Sequence, residues 1–279
     1  MLCCVTIVAR RRAYWSLFIA ACLCLAAFIP LFSRLASAPE APAFLQKAGA
    51  VASFKIGAAL IPSYRLAAAG IGLCALYAAL TLGLILFSFR KTVSTEIFFY
   101  SFWVLSVGLE ILRLVLYSLV VGGASLSLQI LGAKALVFTR YVGYFSLFLS
   151  GLYAAGFRNE KIGTVVALIV AVAFGLAASI PVNTGSFSLT LELRPGYAAV
   201  NTGLGLVAGA VTVANFLYAA HSTSESSYKA AALGSALFFV GQRLLISVWN
   251  PYLIIFGFVL LAAGSALFVS RLHSYYLWQ

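Results

Sequence analysis

Apolar runs of roughly 17 to 25 residues recur from one end of this chain to the other, and a helix needs only about 20 to cross a bilayer. In hydrocarbon each backbone N–H and C=O must be satisfied within its own segment, so runs of this kind fold as helices. Eight such spans are expected, at 13–32, 66–89, 97–121, 136–157, 162–180, 198–220, 229–248 and 252–270. Only 9% of residues are charged, against about 25% in soluble domains. The mean hydropathy is +1.07. Residues 1–279 are therefore expected to form a single membrane domain, an all-α polytopic bundle of about eight transmembrane helices in a bacterial cytoplasmic (inner) membrane.

The first run follows Arg10-Arg11-Arg12 and ends near Ala36-Ser37-Ala38, which gives it the outline of a signal peptide. Its apolar core, WSLFIAACLCLAAFIPLF, is longer than the roughly 7 to 15 residues of a secretory signal. An uncleaved anchor is expected; cleavage would leave seven spans in the same orientation. Charge in the short loops sets that orientation. With the N-terminus in the cytoplasm, Arg10, Arg11, Arg12, Arg90, Lys91, Arg158, Lys161, Lys229 and Arg271 lie inside. Arg34, Lys47, Lys55, Arg65, Lys134 and Arg194 lie outside, four of them in one long loop. Both termini are expected to be cytoplasmic.

The net charge of +12 suggests nucleic acid at first sight. Most of its Lys and Arg residues flank apolar runs, however, as cytoplasmic anchoring charges do, so the expected partner is the bilayer and not nucleic acid. The five cysteines, Cys3, Cys4, Cys22, Cys24 and Cys74, lie at the N-terminus or within apolar helices. No spaced framework results, so neither disulfides nor a metal site is expected, and no cofactor.

Two outer segments alternate polar and apolar residues. In ASLSLQIL (124–131) Leu126, Leu128 and Ile130 share a face; in GSFSLTLEL (185–193) Phe187, Leu189, Leu191 and Leu193 do. Either the two pair as a short two-stranded β cap, since a lone strand leaves its backbone unpaired, or one or both extend a neighbouring helix. In the loop 39–64, Phe44, Leu45, Ala48 and Val51 recur at helical spacing beside Lys47 and Lys55, which predicts an interfacial helix. Gly205 and Gly209 form a small-xxx-small pair suited to close helix packing. The pentapeptide GSALF occurs at Gly234 and again at Gly264, a coincidence that the abundance of these residues explains.

The third span, FFYSFWVLSVGLEILRLVLYSLVV, carries Glu110 and Arg113 near its middle. Ser106, Glu110, Arg113 and Tyr117 are spaced 4, 3 and 4 apart and share one helix face. Glu110 and Arg113 pair at i, i+3, which offsets an insertion cost of about 2.5–3.5 kcal/mol per lone charge. Arg140 and Arg243 also fall within spans. At about 1.5 Å per residue, Arg243, Arg113 and Arg140 are expected roughly 9, 12 and 6 Å below the outer helix ends. Glu110 is the only evident counter-ion at that depth, with Tyr144, Gln242 and Ser247 able to add neutral hydrogen bonds. One expectation is an outward-facing pocket in which Arg113, Arg140 and Arg243 hold an anion while Glu110 balances charge, because the guanidinium fork matches carboxylate and phosphate. The competing expectation has Glu110 paired once and the other arginines snorkelling to head groups.

No aspartate occurs in the chain, and His221 and His273 fall at helix ends. Phosphate-loop, HExxH and GxSxG patterns are missing too, so no enzymatic activity is expected. The expected function is a receptor-like or accessory membrane protein that binds an anionic small molecule or lipid head group and passes a signal to a membrane or cytoplasmic protein partner. The alternative is a transporter or permease subunit, whose broken helices often carry Gly or Pro near the midplane; against it stand the prolines, with Pro30 and Pro251 at span ends and Pro181 at the start of a loop.

Overall fold

Because backbone hydrogen bonds close locally in each apolar run, helices account for most of the chain. The computed structural model describes residues 2–36, 53–56, 59–88, 94–157, 161–188, 190–247 and 250–277. Its first elements are α1 (Leu2–Ala36), β1 (Ser53–Ile56), β2 (Ala59–Pro62), α2 (Ser63–Ser88) and α3 (Thr95–Gly108). A 3-10 turn (Leu109–Ile111) then leads into α4 (Leu112–Val121), followed by α5 (Leu126–Ala154) and α6 (Ile162–Ser179). The hairpin β3 (Val182–Phe187) and β4 (Leu193–Pro195) precedes α7 (Ala198–Thr223), α8 (Ser226–Ser247) and α9 (Pro251–Leu277). Counting α3, the turn and α4 as one span, the described residues hold eight helices long and apolar enough to cross a membrane. The protein is a multi-pass integral membrane protein.

The helix ends match the expected spans to within a few residues except at three places: α1 begins at Leu2 and not near 13, α5 begins at Leu126 and not near 136, and α9 runs on to Leu277, past 270. The pairing expected between 124–131 and 185–193 is thereby overturned. Leu128 N–H and Gln129 N–H both donate to the Ser125 carbonyl, at 3.0 and 3.2 Å, and start the helix. Extending an existing helix adds one hydrogen bond per residue fixed, whereas a strand there would need a partner. The second segment finds its partner locally: β3 pairs antiparallel with β4, Val182 opposite Pro195 and Phe187 opposite Leu193, with an irregularity between. The interfacial helix expected around Phe44–Val51 lies outside the described residues, and Lys55 stands on β1, which pairs with β2.

α5 sits centrally, packed against α3, α4, α6 and α7; α1 lies along α2, and α8 pairs with α9. Lipid tails are as apolar as leucine, so these contacts rest on close packing and polar bonds, not on hydrophobic exclusion. The core is aromatic. Trp103 meets Phe238 at 4.4 Å between ring centroids and Tyr100 meets Phe268 at 4.7 Å, pairs that contribute about 0.5–1.5 kcal/mol each beyond their burial. The Tyr77 hydroxyl bonds those of Tyr100 (2.8 Å) and Ser265 (2.6 Å), tying α2, α3 and α9 together. The two GSALF copies meet in space: a Cβ on Gly234 would lie 2.8 Å from the Gly264 carbonyl oxygen, and one on Gly264 2.7 Å from that of Gly234. Only glycine allows α8 and α9 to approach this closely.

Candidate functional site

The third span tightens where its charge is. The 3-10 turn Leu109–Ile111 interrupts the helix at Glu110, and in such a turn side chains at i and i+3 eclipse. Arg113 Nε therefore donates to Glu110 Oε2 at 2.6 Å, with both side chains buried. The same guanidinium reaches two backbone carbonyls through Nη1, Thr190 and Ile246, each at 3.1 Å. Arg113 thereby stitches the third span to the hairpin and to α8.

Arg140, from α5, binds the other side of Glu110. Its Nε donates to Oε1 at 2.8 Å and its Nη2 to Oε2 at 3.0 Å, the bidentate fork expected of arginine on a carboxylate. Nη2 also donates to Glu192 Oε2 at 2.6 Å. Arg140 is 14 residues into α5, about 21 Å along it, and not near its end. The snorkelling expectation for Arg140 is overturned, because its guanidinium turns inward to two carboxylates.

Glu192 is the counter-ion that the sequence reading missed. It lies between β3 and β4, where alternation with Leu191 and Leu193 made it one polar position of an expected cap strand. Leu191 instead adopts φ 63°, unusual for a bulky residue. Its side chain is fully buried, and this reversal swings Glu192 onto the arginines. The turn is closed by Ser188 N–H to the Glu192 carbonyl at 2.8 Å and Leu191 N–H to the Ser188 carbonyl at 3.0 Å. Burial favours the protonated form of Glu192, but Arg113 and Arg140 outweigh it and hold the carboxyl below the usual carboxylate range.

Arg243, from α8, is placed differently. Its guanidinium carbon stands 5.5 Å from the Tyr144 ring centroid and 5.3 Å from that of Phe239, within cation–π range. Its Nε and Nη2 are buried and donate to no partner among the described residues. Gly205 provides the space, since a Cβ there would lie 1.9 Å from Arg243 Nη2. The Gly205–Gly209 pair thus accommodates side chains, Arg243 with Tyr144 at one position and Phe239 at the other, and not a close backbone contact between helices.

Arg113, Arg140, Arg243 and Tyr144 share the wall of one cavity of about 350 Å³ at the hairpin end of the bundle. Thr190, Glu192 and Arg194 complete it from the hairpin, with Tyr141 and Asn201, which hydrogen-bond each other, between α5 and α7. Its charged residues are four arginines and, counting Glu110 behind them, two glutamates. The other expected residues do not reach it. Ser106 donates to the Trp103 carbonyl at 2.7 Å and faces Gly143. Tyr117 is buried in an apolar cluster with Tyr64 and Leu114. Gln242 is buried away from the cavity, its Oε1 without a hydrogen-bond partner among the described residues. The expectation for the Ser247 side chain falls outside the described residues. The chain matches no family model, no curated protein and no solved structure.

Proposed function

We propose that this is a receptor-like or accessory membrane protein that binds an anionic small molecule or lipid head group in the arginine-lined cavity beneath the β3–β4 hairpin, and relays occupancy to a protein partner. The observation that carries the reading is Arg243: a guanidinium on the cavity wall with two buried N–H-bearing atoms lacking acceptors among the described residues. A buried polar group without a partner is costly, and an oxyanion supplies what it lacks. The cavity volume falls at the lower end of small-ligand sites, roughly 300–1,000 Å³.

The short-loop charges support placing this cavity on the outer side, with both termini in the cytoplasm. Burial of Leu17, Ala21, Cys24 and Leu35 on α1 favours an uncleaved anchor and hence eight spans over seven. Binding is preferred to catalysis because both carboxylates at the cavity are engaged by arginines. A transporter or permease subunit is the second reading, favoured by the tightening of the third span into a 3-10 turn at Glu110, a mid-helix feature that often marks a functional hinge.

Binding of inorganic phosphate and of a short dicarboxylate to the purified protein in nanodiscs tests the reading. Saturable binding that Arg243→Gln removes supports it, and accumulation in sealed vesicles would move the assignment to the transporter. No binding, in nanodiscs with or without anionic phospholipid, would overturn it.

A further inference from the structure

The two carboxylates on Arg140 are held in different ways. Glu110 is almost fully buried at 1% exposure, sits on a helical span, and has both oxygens bonded by arginines. Glu192 is 19% exposed and borders the cavity. A single short bond joins its Oε2 to Arg140, the same oxygen stands a longer 3.7 Å from Arg113 Nε, and its second oxygen has only the Thr190 hydroxyl at 3.4 Å. The turn that carries it holds Leu191 in the left-handed region, a conformation that persists only where surrounding contacts enforce it and that gathers at switches and clamps. Arg140 is itself 17% exposed, so an acid entering the cavity meets Arg140 at the side Glu192 now covers, with Arg243 as a second cation.

We propose that Glu192 is a built-in surrogate for the ligand: its carboxylate occupies on Arg140 the place of an acid group that the cavity is made to receive, and the ligand binds by displacing it. The inference rests on the anion-binding reading and adds two things to it. The ligand carries a compact oxyanion, a carboxylate or phosphate, able to bridge Arg140 and Arg243. Its arrival frees Glu192 and loosens the turn from Ser188 to Glu192, which Arg113 then holds only through the Thr190 carbonyl. Occupancy would thereby become a change in the hairpin, the surface a partner or the aqueous side can read.

The test uses the full chain in zwitterionic nanodiscs, with inorganic phosphate as the probe and calorimetry as the readout. Glu192→Gln should bind phosphate at least about fivefold more tightly than wild type, the lower end of usual coupling between linked sites, because the competitor has lost its charge. Glu192→Asp, which keeps the charge but draws it back from Arg140, should tighten binding less. In a background lacking native cysteines, Ser188→Cys should be labelled faster when Glu192→Gln is added without phosphate, and faster in the presence of phosphate when Glu192 is intact. Nanodiscs containing anionic phospholipid separate the sources of the oxyanion: a head group that uses the site would suppress phosphate binding there, more strongly in Glu192→Gln. Wild type binding phosphate while Glu192→Gln binds equally or more weakly would overturn the surrogate and leave the anion pocket standing. Failure of both proteins to bind in either kind of nanodisc would overturn both.

Discussion

One Arg140 nitrogen serves two carboxylates: Nη2 lies 3.0 Å from Glu110 Oε2 and 2.6 Å from Glu192 Oε2. With Arg113 on the far side of Glu110, this makes a closed set of two arginines and two glutamates from three segments distant in sequence. Buried ions of this kind are retained only where geometry and extra hydrogen bonds offset desolvation, and both arginines here meet that condition. Arg243 does not belong to the set: two of its nitrogens have no partner among the described residues, and this contrast is what supports reading the cavity as more than a structural ion pair.

Removing Glu110 should be the most damaging single change in the cluster. Glu110→Gln leaves both guanidiniums short of an acceptor, at about 3–5 kcal/mol for a broken buried pair. The double variant Glu110→Gln with Arg113→Gln should recover part of that loss and melt higher than the single variant, because Arg140 keeps Glu192. Thermal unfolding in detergent compares them; equal melting temperatures would show that Glu110 and Arg113 are not coupled.

Gly205→Ala should abolish the Arg243 geometry without touching a charge. The added methyl would lie 1.9 Å from Nη2, so the guanidinium must leave its shelf on Tyr144 and Phe239. The expected stability cost is that of modest overpacking, about 1–3 kcal/mol. Phosphate affinity, measured by calorimetry, should fall as far as in Arg243→Gln.

The docking of the hairpin should depend on pH through Glu192. Its folded-state pKa is lowered, so the ion pairs contribute in full above the usual Glu value of about 4.3 and are lost as pH falls through the folded value. Arg113, Arg140 and Glu110 face it; both arginines stay charged across this range. Labelling of Ser188→Cys should be slow and flat at neutral pH and rise only in acid below the ordinary Glu range. Glu192→Gln should remove that rise.

The proposed orientation rests on the loop charges. In a variant without native cysteines, Tyr197→Cys beside the hairpin should react with an impermeant reagent added outside, and Ser224→Cys at the turn between α7 and α8 should not. Tyr197 is 70% exposed, so its reaction would be limited by sidedness and not by burial. The reverse pattern would invert the topology and close the cavity to the outside.

The sequence by itself determined the membrane class, the apolar runs and the pairing of Glu110 with Arg113, because each depends on neighbours along one helix or on composition. It also singled out Arg140 and Arg243 as charges inside spans. Tertiary structure decided the rest. Whether 124–131 became strand or helix turned on α5 extending back to Leu126 while β3 found β4 nearby. That Arg140 turned inward depended on which face of α5 met the third span. The recruitment of Glu192 required Leu191 to reverse the chain at φ 63°, a backbone state no residue pattern announces for leucine. Gly205 and Gly209 spelled a helix-packing motif but make room for Arg243 and Phe239, since a missing side chain states that something approaches closely and only the fold states what.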